Sequence, residues 1–262
     1  SLPFVVKAAS TFEGRADRIL HPLVRYRGGR AALRQSLAPA LKPYGVKAKE
    51  IDRALAAAEA ALARFRARLR EAGERALARL EETREPAVLL VGRPYNLFDP
   101  VVNLDVPRKL RDLYGVNVVP LEFLASDDQD LEAVNANMFW SYGRRILAGA
   151  RAAGRLERMH LIYITNFKCG PDSYIKHFVR SAFGRPFLTL QFDGHNNDAG
   201  MLTRVEAFLD SQGILRRWAG RPAAPEEQAS GGGLRAPVTA GVFDSTAPPE
   251  LADALVLRQQ LA

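Results

Sequence analysis

Residues 166–173 read NFKCGPDS and contain Cys169, the only cysteine of the 262-residue chain. A lone thiol can serve as a small buried hydrophobe, a nucleophile, or one ligand of a metal centre whose other ligands lie elsewhere. Gly170 removes a side chain next to the sulfur and lets the backbone approach a bulky group, and Pro171 belongs in the first turn of a helix, where its missing N–H costs nothing. Asp172 or Ser173 would then serve the exposed amides of that turn. A sulfur at a helix N-terminus feels the positive end of the helix dipole, which favours thiolate and so favours ligation or attack. An inert core cysteine is the alternative.

Two further polar stretches carry residues fit for chemistry. GRPYNLFDP (92–100) offers Arg93 and Tyr95, with Asn96 beside them, as candidates for holding an anionic substrate, although Arg93 suits a structural ion pair equally well. Its spacing matches neither the G-x-G-x-x-G of a dinucleotide loop nor the G-K-[ST] of a P-loop, so nucleotide binding by either device is disfavoured. DGHNNDAG (193–200) holds Asp193, His195 and Asp198, which resemble metal ligands or an acid/base pair on paper. The plainer reading has Asp193 and Asn197 shaping the turn and Asp198 capping the next helix, leaving His195 as the candidate catalytic proton or hydrogen-bond donor. Phe139, Trp140 and Tyr142 are read as core or interface packing rather than a cofactor cradle.

The elements that would position these stretches alternate. AVLLVG (87–92), VNVVPLEF (116–123), HLIYITNF (160–167) and PFLTLQFD (186–193) read as strands, separated by helical patterns that include 137–154, 172–184 and 197–213. Such alternation implies βαβ crossovers and a mostly parallel sheet covered on both faces, in a flavodoxin-like or Rossmann-like α/β fold. In such sheets ligands bind at the carboxyl ends of the strands, and all three polar stretches follow a strand. Before Pro86, apolar residues recur at helical spacing from Ile51 to Leu80, and a shorter helix lies between Gly28-Gly29 and Pro43. A helical hairpin over 1–85 therefore precedes an α/β domain over 86–213. The remainder, 214–262, is rich in proline, alanine and glycine and reads as disordered, with a short helix near its end.

Charge and composition narrow the function. With 47% apolar and 25% charged residues, the chain has an ordinary globular composition. No apolar run approaches the ~20 residues of a membrane span and no signal-peptide layout opens the sequence, so a cytoplasmic protein is expected. A single cysteine excludes an internal disulfide framework and a self-sufficient cysteine-ligated cluster; any cluster must be shared. The net charge of +8 invites a nucleic-acid partner. Glutamates spaced to pair with the arginines of 63–85, and the absence of a nucleic-acid motif, weaken that reading. The chain opens on Ser1, which is expected of a piece of a longer polypeptide or of a processed terminus.

Taken together, GRPYNLFDPVVNLDVPRKL, MFWSYGRRIL, NFKCGPDSYI and PFLTLQFDGHNNDAGMLTRVEAFLDS resemble the acyl-CoA dehydratase activase-related proteins, over residues 86–212. These large polypeptides join activase-like ATPase segments to a region similar to the D-component of 2-hydroxyglutaryl-CoA dehydratase. The resemblance implies iron–sulfur redox chemistry, in which an ATP-driven activator delivers a low-potential electron to a [4Fe–4S] cluster and a 2-hydroxyacyl-CoA loses water. By motif position it makes Cys169 a metal ligand, with Gly170, Asn166 and Ser173 as further cofactor contacts, and it turns Arg93, Tyr95 and Asn96 toward an acyl-CoA substrate. The family's other thiolates are absent here. They would come from an upstream region or an ATP-dependent activase partner, or the cluster has been lost; in either case this chain would not turn over alone. The alternative is a non-catalytic docking module whose basic helical hairpin binds an acidic protein partner.

Overall fold

The computed structural model of the protein describes residues 2–12, 14–124, 131–194 and 197–215, and the chain divides into two compact units between Ala67 and Arg68. The first unit holds helices α1 (Leu2–Ala8), α2 (Gly29–Leu41) and the start of α3 (Ala48–Thr83). Gly29 and Gly45, both at positive φ, bracket α2 and the turn that ends it, as the glycine pattern predicts. The hairpin buries only Leu33 and Ile51 among its described residues. It is tied at its surface by Arg30 to Glu59 and by Arg34 to Asp52 at 2.9 Å, exposed pairs that water screens and that add little to stability. The expected pairing along 63–85 is mostly absent. Arg79 reaches Glu82, whereas Arg64, Arg66, Arg68 and Arg70 are exposed with no ion-pair partner among the described residues. Long solvated side chains lose more rotamer freedom in a fixed pair than a surface charge contact returns.

The second unit contains strands β1 (Ala87–Gly92), β2 (Asn117–Pro120), β3 (Met159–Asn166) and β4 (Leu188–Phe192), all parallel in the order β2-β1-β3-β4. Between and after them run α4 (Pro94–Phe98), α5 (Val106–Tyr114), α6 (Glu132–Asn135), α7 (Ser141–Gly154), α8 (Gly170–Phe183) and α9 (Asp198–Ser211). One sheet face buries Leu89, Val91, Leu161 and Tyr163 against α7, α8 and the last turns of α3, through Ala76 and Leu80. The other buries Val88, Leu90, Ile162 and Ile164 against α5 and α9. Coverage of both faces explains why AVLLVG is apolar throughout rather than alternating, and each such side chain contributes about 1.5–3 kcal/mol.

Most boundaries fall within two residues of the sequence reading, and three departures are larger. The second strand ends at Pro120 and continues as a 3-10 turn, Leu121–Phe123, because proline has no N–H to extend the ladder of this edge strand. Helix α7 starts at Ser141 rather than 137, leaving Phe139 and Trp140 in the connection. The end of α3 packs in the α/β core although the sequence grouped it with the N-terminal helices. The expected disorder and terminal helix of the tail lie, from residue 216 on, outside the described residues.

Candidate functional site

The order β2-β1-β3-β4 places the chain's reversal point between β1 and β3, since β1 leads to β2 on one side while β3 and β4 follow on the other. Ligand crevices of open parallel sheets lie there, outside the carboxyl ends of the strands. The loops that meet at this point are those with Arg93 and Cys169.

On the β1 side, Gly92 lies opposite Ile164 of β3, and a Cβ there would sit 2.4 Å from the Ile164 carbonyl oxygen, so only glycine fits the close approach. Arg93 follows and donates from Nε to Asp172 Oδ1 at 3.0 Å, while Thr165 of β3 donates its hydroxyl to Asp172 Oδ2 at 2.5 Å. Asp172 is 1% exposed, and its two oxygens thereby join the β1 loop, β3 and the first turn of α8. Burial works against the Arg93 charge, but the hydrogen bond and charge of Asp172, with smaller contributions from Tyr95 and Cys169, raise its pKa above the ordinary arginine value. The expectation that Asp172 caps α8 is thus not met: it turns inward to an ion pair, and the helix begins without a side-chain cap. Tyr95 is exposed. Asn96 is fully buried, its side-chain amide has no partner among the described residues, and its backbone oxygen accepts from Asn103 Nδ2 at 2.9 Å.

On the β3 side, Asn166 opens a turn that closes with Cys169 N–H donating to Asn166 O at 3.2 Å, and Lys168 takes left-handed φ of 57° inside it. A non-glycine residue there costs about 1–2 kcal/mol, so the surrounding ladder, including Phe167 N–H to Phe192 O at 2.8 Å, must enforce the turn. Cys169 is the N-cap residue of α8, partly exposed and unoxidised, and a Cβ on Gly170 would meet nothing within 4 Å. The thiol therefore stands at the mouth of the loop rather than in packed hydrocarbon. Ser173 spends its hydroxyl proton on the Cys169 carbonyl, at 2.9 Å, which steadies that turn.

His195 lies outside the described residues, as does its immediate neighbour. The α9 cap is Asn197, whose side chain accepts from Ala199 N–H at 2.7 Å; Asp198, expected in that role, pairs with Lys109 at 2.8 Å. Among the described residues no group of three or more His, Cys, Asp or Glu is placed to hold a metal ion. With one cysteine in the sequence, these residues do not fit a cluster held by this chain alone; what they offer is a single thiol at the carboxyl end of β3. No described helix is long and apolar enough to cross a membrane.

The structural ion pair expected for Arg93 is present, but sequence reasoning did not find its partner Asp172, 79 residues away, or the link from Asp172 to Thr165; Phe139 and Tyr142 are exposed, which rules out core packing for them and leaves interface packing open. The side-by-side strand ends were the only signal for that junction.

The fold is an α/β parallel-sheet domain with a partly exposed cysteine at its reversal point. Residues 1–124 match the family model described as CoA enzyme activase uncharacterised domain. The chain thus contains a CoA enzyme activase-related domain, consistent with the resemblance to acyl-CoA dehydratase activase-related proteins; the match includes GRPYN and ends before NFKCG. No curated protein and no solved structure matches the chain.

Proposed function

We propose that this activase-related chain belongs to a 2-hydroxyacyl-CoA dehydratase-like system and lends Cys169 as one thiolate ligand to a [4Fe–4S] cluster completed by cysteines outside it. The observation that carries this reading is the placement of the sole thiol: partly exposed, at the N-terminus of α8, at the carboxyl end of β3 next to β1. When bound, such a cluster supplies one-electron transfer at low potential. The chain's own residues do the rest. Ser173 and the Asn166–Cys169 turn fix the position of Cys169 at the start of α8, and Gly170 keeps the approach clear. Arg93 is anchored to Asp172 through Nε alone, leaving its terminal amino groups for an anionic group of an acyl-CoA substrate, with Tyr95 beside it. The cluster, its activator and the substrate are parts of this proposal, as is a cytoplasmic location.

The test is iron and acid-labile sulfide content of the full-length protein, purified anaerobically with its activase partner. Wild type should hold both, and Cys169→Ala should lose most of them with its fold intact by circular dichroism. Unchanged iron in Cys169→Ala rejects the reading.

A second reading keeps the chain non-catalytic, with α3 docking an acidic protein. Arg64, Arg66, Arg68 and Arg70, exposed and with no ion-pair partner among the described residues, favour it. Charge reversal of these four should abolish partner binding at physiological salt while leaving iron content untouched, and retained binding sinks this second reading.

A further inference from the structure

The turns that follow β1 bury polar groups and leave them unsatisfied. Asn96 of α4 is 0% exposed, and neither its Nδ2 nor its Oδ1 has a hydrogen-bond partner among the described residues. Asn103, 1% exposed, donates from Nδ2 to the backbone oxygens of Asn96 and Leu97, at 2.9 Å each, while its own Oδ1 has no partner. Unsatisfied atoms thus gather on two neighbouring amides. A buried amide without partners gives up its hydration and gains nothing in exchange, a cost that an apolar side chain of the same size avoids. Folding alone gives no reason to keep asparagine at 96.

The connection that carries Asn103 is also strained. Leu104 and Asp105 follow each other at φ of 52° and 57°, two of the four non-glycine residues with left-handed backbone among the described residues. Leucine disfavours that region, so the connection from α4 to α5 is held in place rather than relaxed. What holds it is the Asn103 amide on the α4 carbonyls, together with Asp99 Oδ1, which accepts from Val101 N–H at 2.9 Å. Asn103 is therefore a latch on α4, and the latched form is the one in which Asn96 goes unsatisfied. The chemistry of Asn96 selects what would satisfy it. Its amide offers a donor and an acceptor side by side and no charge, so the complementary group is another neutral amide, whose C=O and N–H meet both. A charged group would be buried there without a counterion.

We propose that Asn96 is a ligand-binding residue that pairs with an amide of the ligand's chain when the connection 99–105 unlatches from α4. The inference rests on the acyl-CoA reading above for the identity of the ligand: the pantetheine arm of an acyl-CoA carries neutral amides, and its phosphates suit Arg93, which begins α4 and bonds Asp172 through Nε alone. It does not depend on Cys169 or on a metal.

The experiment pairs calorimetric titration of the full-length protein with thermal unfolding in the absence of ligand. The probes are acetyl-CoA, as an unreactive acyl-CoA, and adenosine 3′,5′-bisphosphate, which keeps phosphates and lacks the amides. Asn96→Leu should weaken acetyl-CoA binding about tenfold and leave the affinity for the bisphosphate unchanged. The same variant should raise the thermal midpoint, because leucine removes an orphaned amide from the interior. Weaker binding in a more stable protein is a combination that a merely structural asparagine does not produce. A lowered midpoint would make the amide structural, unchanged acetyl-CoA affinity would place the ligand's amides elsewhere, and an equal loss for both probes would move the effect away from the amides. Each of these overturns the inference and leaves the acyl-CoA reading standing. Failure of the wild type to bind acetyl-CoA overturns both, while the iron content of Cys169→Ala still tests the cluster on its own.

Discussion

The loops leaving β1 and β3 sit on neighbouring strands at one end of the same sheet, and they are built in opposite ways. After β1 the chain is jammed: Gly92 touches the β3 backbone, Asn96 and Leu97 are buried, and Arg93 is committed to Asp172. After β3 it is open: Gly170 faces empty space and Cys169 reaches solvent. Two glycines beside candidate site residues therefore play different parts. The first allows strands to meet, and the second leaves room beside a sulfur. The closed loop acts as the frame and the open one as the mouth of the site.

The contrast breaks most visibly at Asp172, which joins the two. Asp172→Ala strands Arg93 and the Thr165 hydroxyl and should cost about 3–5 kcal/mol in urea unfolding, with Asp172→Asn recovering part of it. A loss under about 1 kcal/mol would mean that the loops hold their shape independently. Gly92→Ala should cost about 1–3 kcal/mol, because the colliding atom is backbone and cannot swing aside. Gly170→Ala, the matched change in the open loop, should leave the thermal midpoint almost unmoved. Lys168→Gly should raise stability by up to about 1 kcal/mol, since glycine accepts the left-handed turn that lysine occupies under strain.

The smallest effect separates the crevice face of the sheet from the other. Burial, reinforced by a 2.9 Å hydrogen bond to Glu206, pushes the Tyr114 pKa up to about 12. The folded state thus keeps this proton longer than the unfolded chain, whose tyrosine titrates near 10. The contribution is complete below pH 10 and is lost as pH rises from 10 through 12. Tyr114→Phe should flatten that part of the stability profile. Tyr163, on the opposite sheet face, is raised by burial and by the neighbouring Asp172; its hydroxyl makes no hydrogen bond of good geometry among the described residues, so Tyr163→Phe should cost little below pH 10.

Strands and helices were readable because their periods are local: a buried run such as AVLLVG and a stripe from Ile51 to Leu80 announce themselves within a few turns. The crevice was readable in outline for the same reason, as every polar stretch followed a strand. Side-chain partners were not. Asp172 stands where a capping residue would, and nothing nearby in sequence shows that Arg93, 79 residues earlier, draws it inward. Asn197 and Asp198 are adjacent and both suit a cap; only the backbone, extended at Asn197, decides between them. Of the aromatics read as core or interface packing in the segment 139–142, Trp140 packs partly buried on the core while Phe139 and Tyr142 are exposed, a division set by neighbours distant in sequence.

Cys169 is partly exposed at the start of α8, and the proposed cluster would cover it. Alkylation by iodoacetamide, followed by intact-mass measurement on the full-length protein, tests this directly. The metal-free native protein should be labelled at a rate close to that of the denatured chain, and the iron-loaded protein should resist labelling. Resistance in the native metal-free protein, or equal reactivity with and without iron, would contradict it.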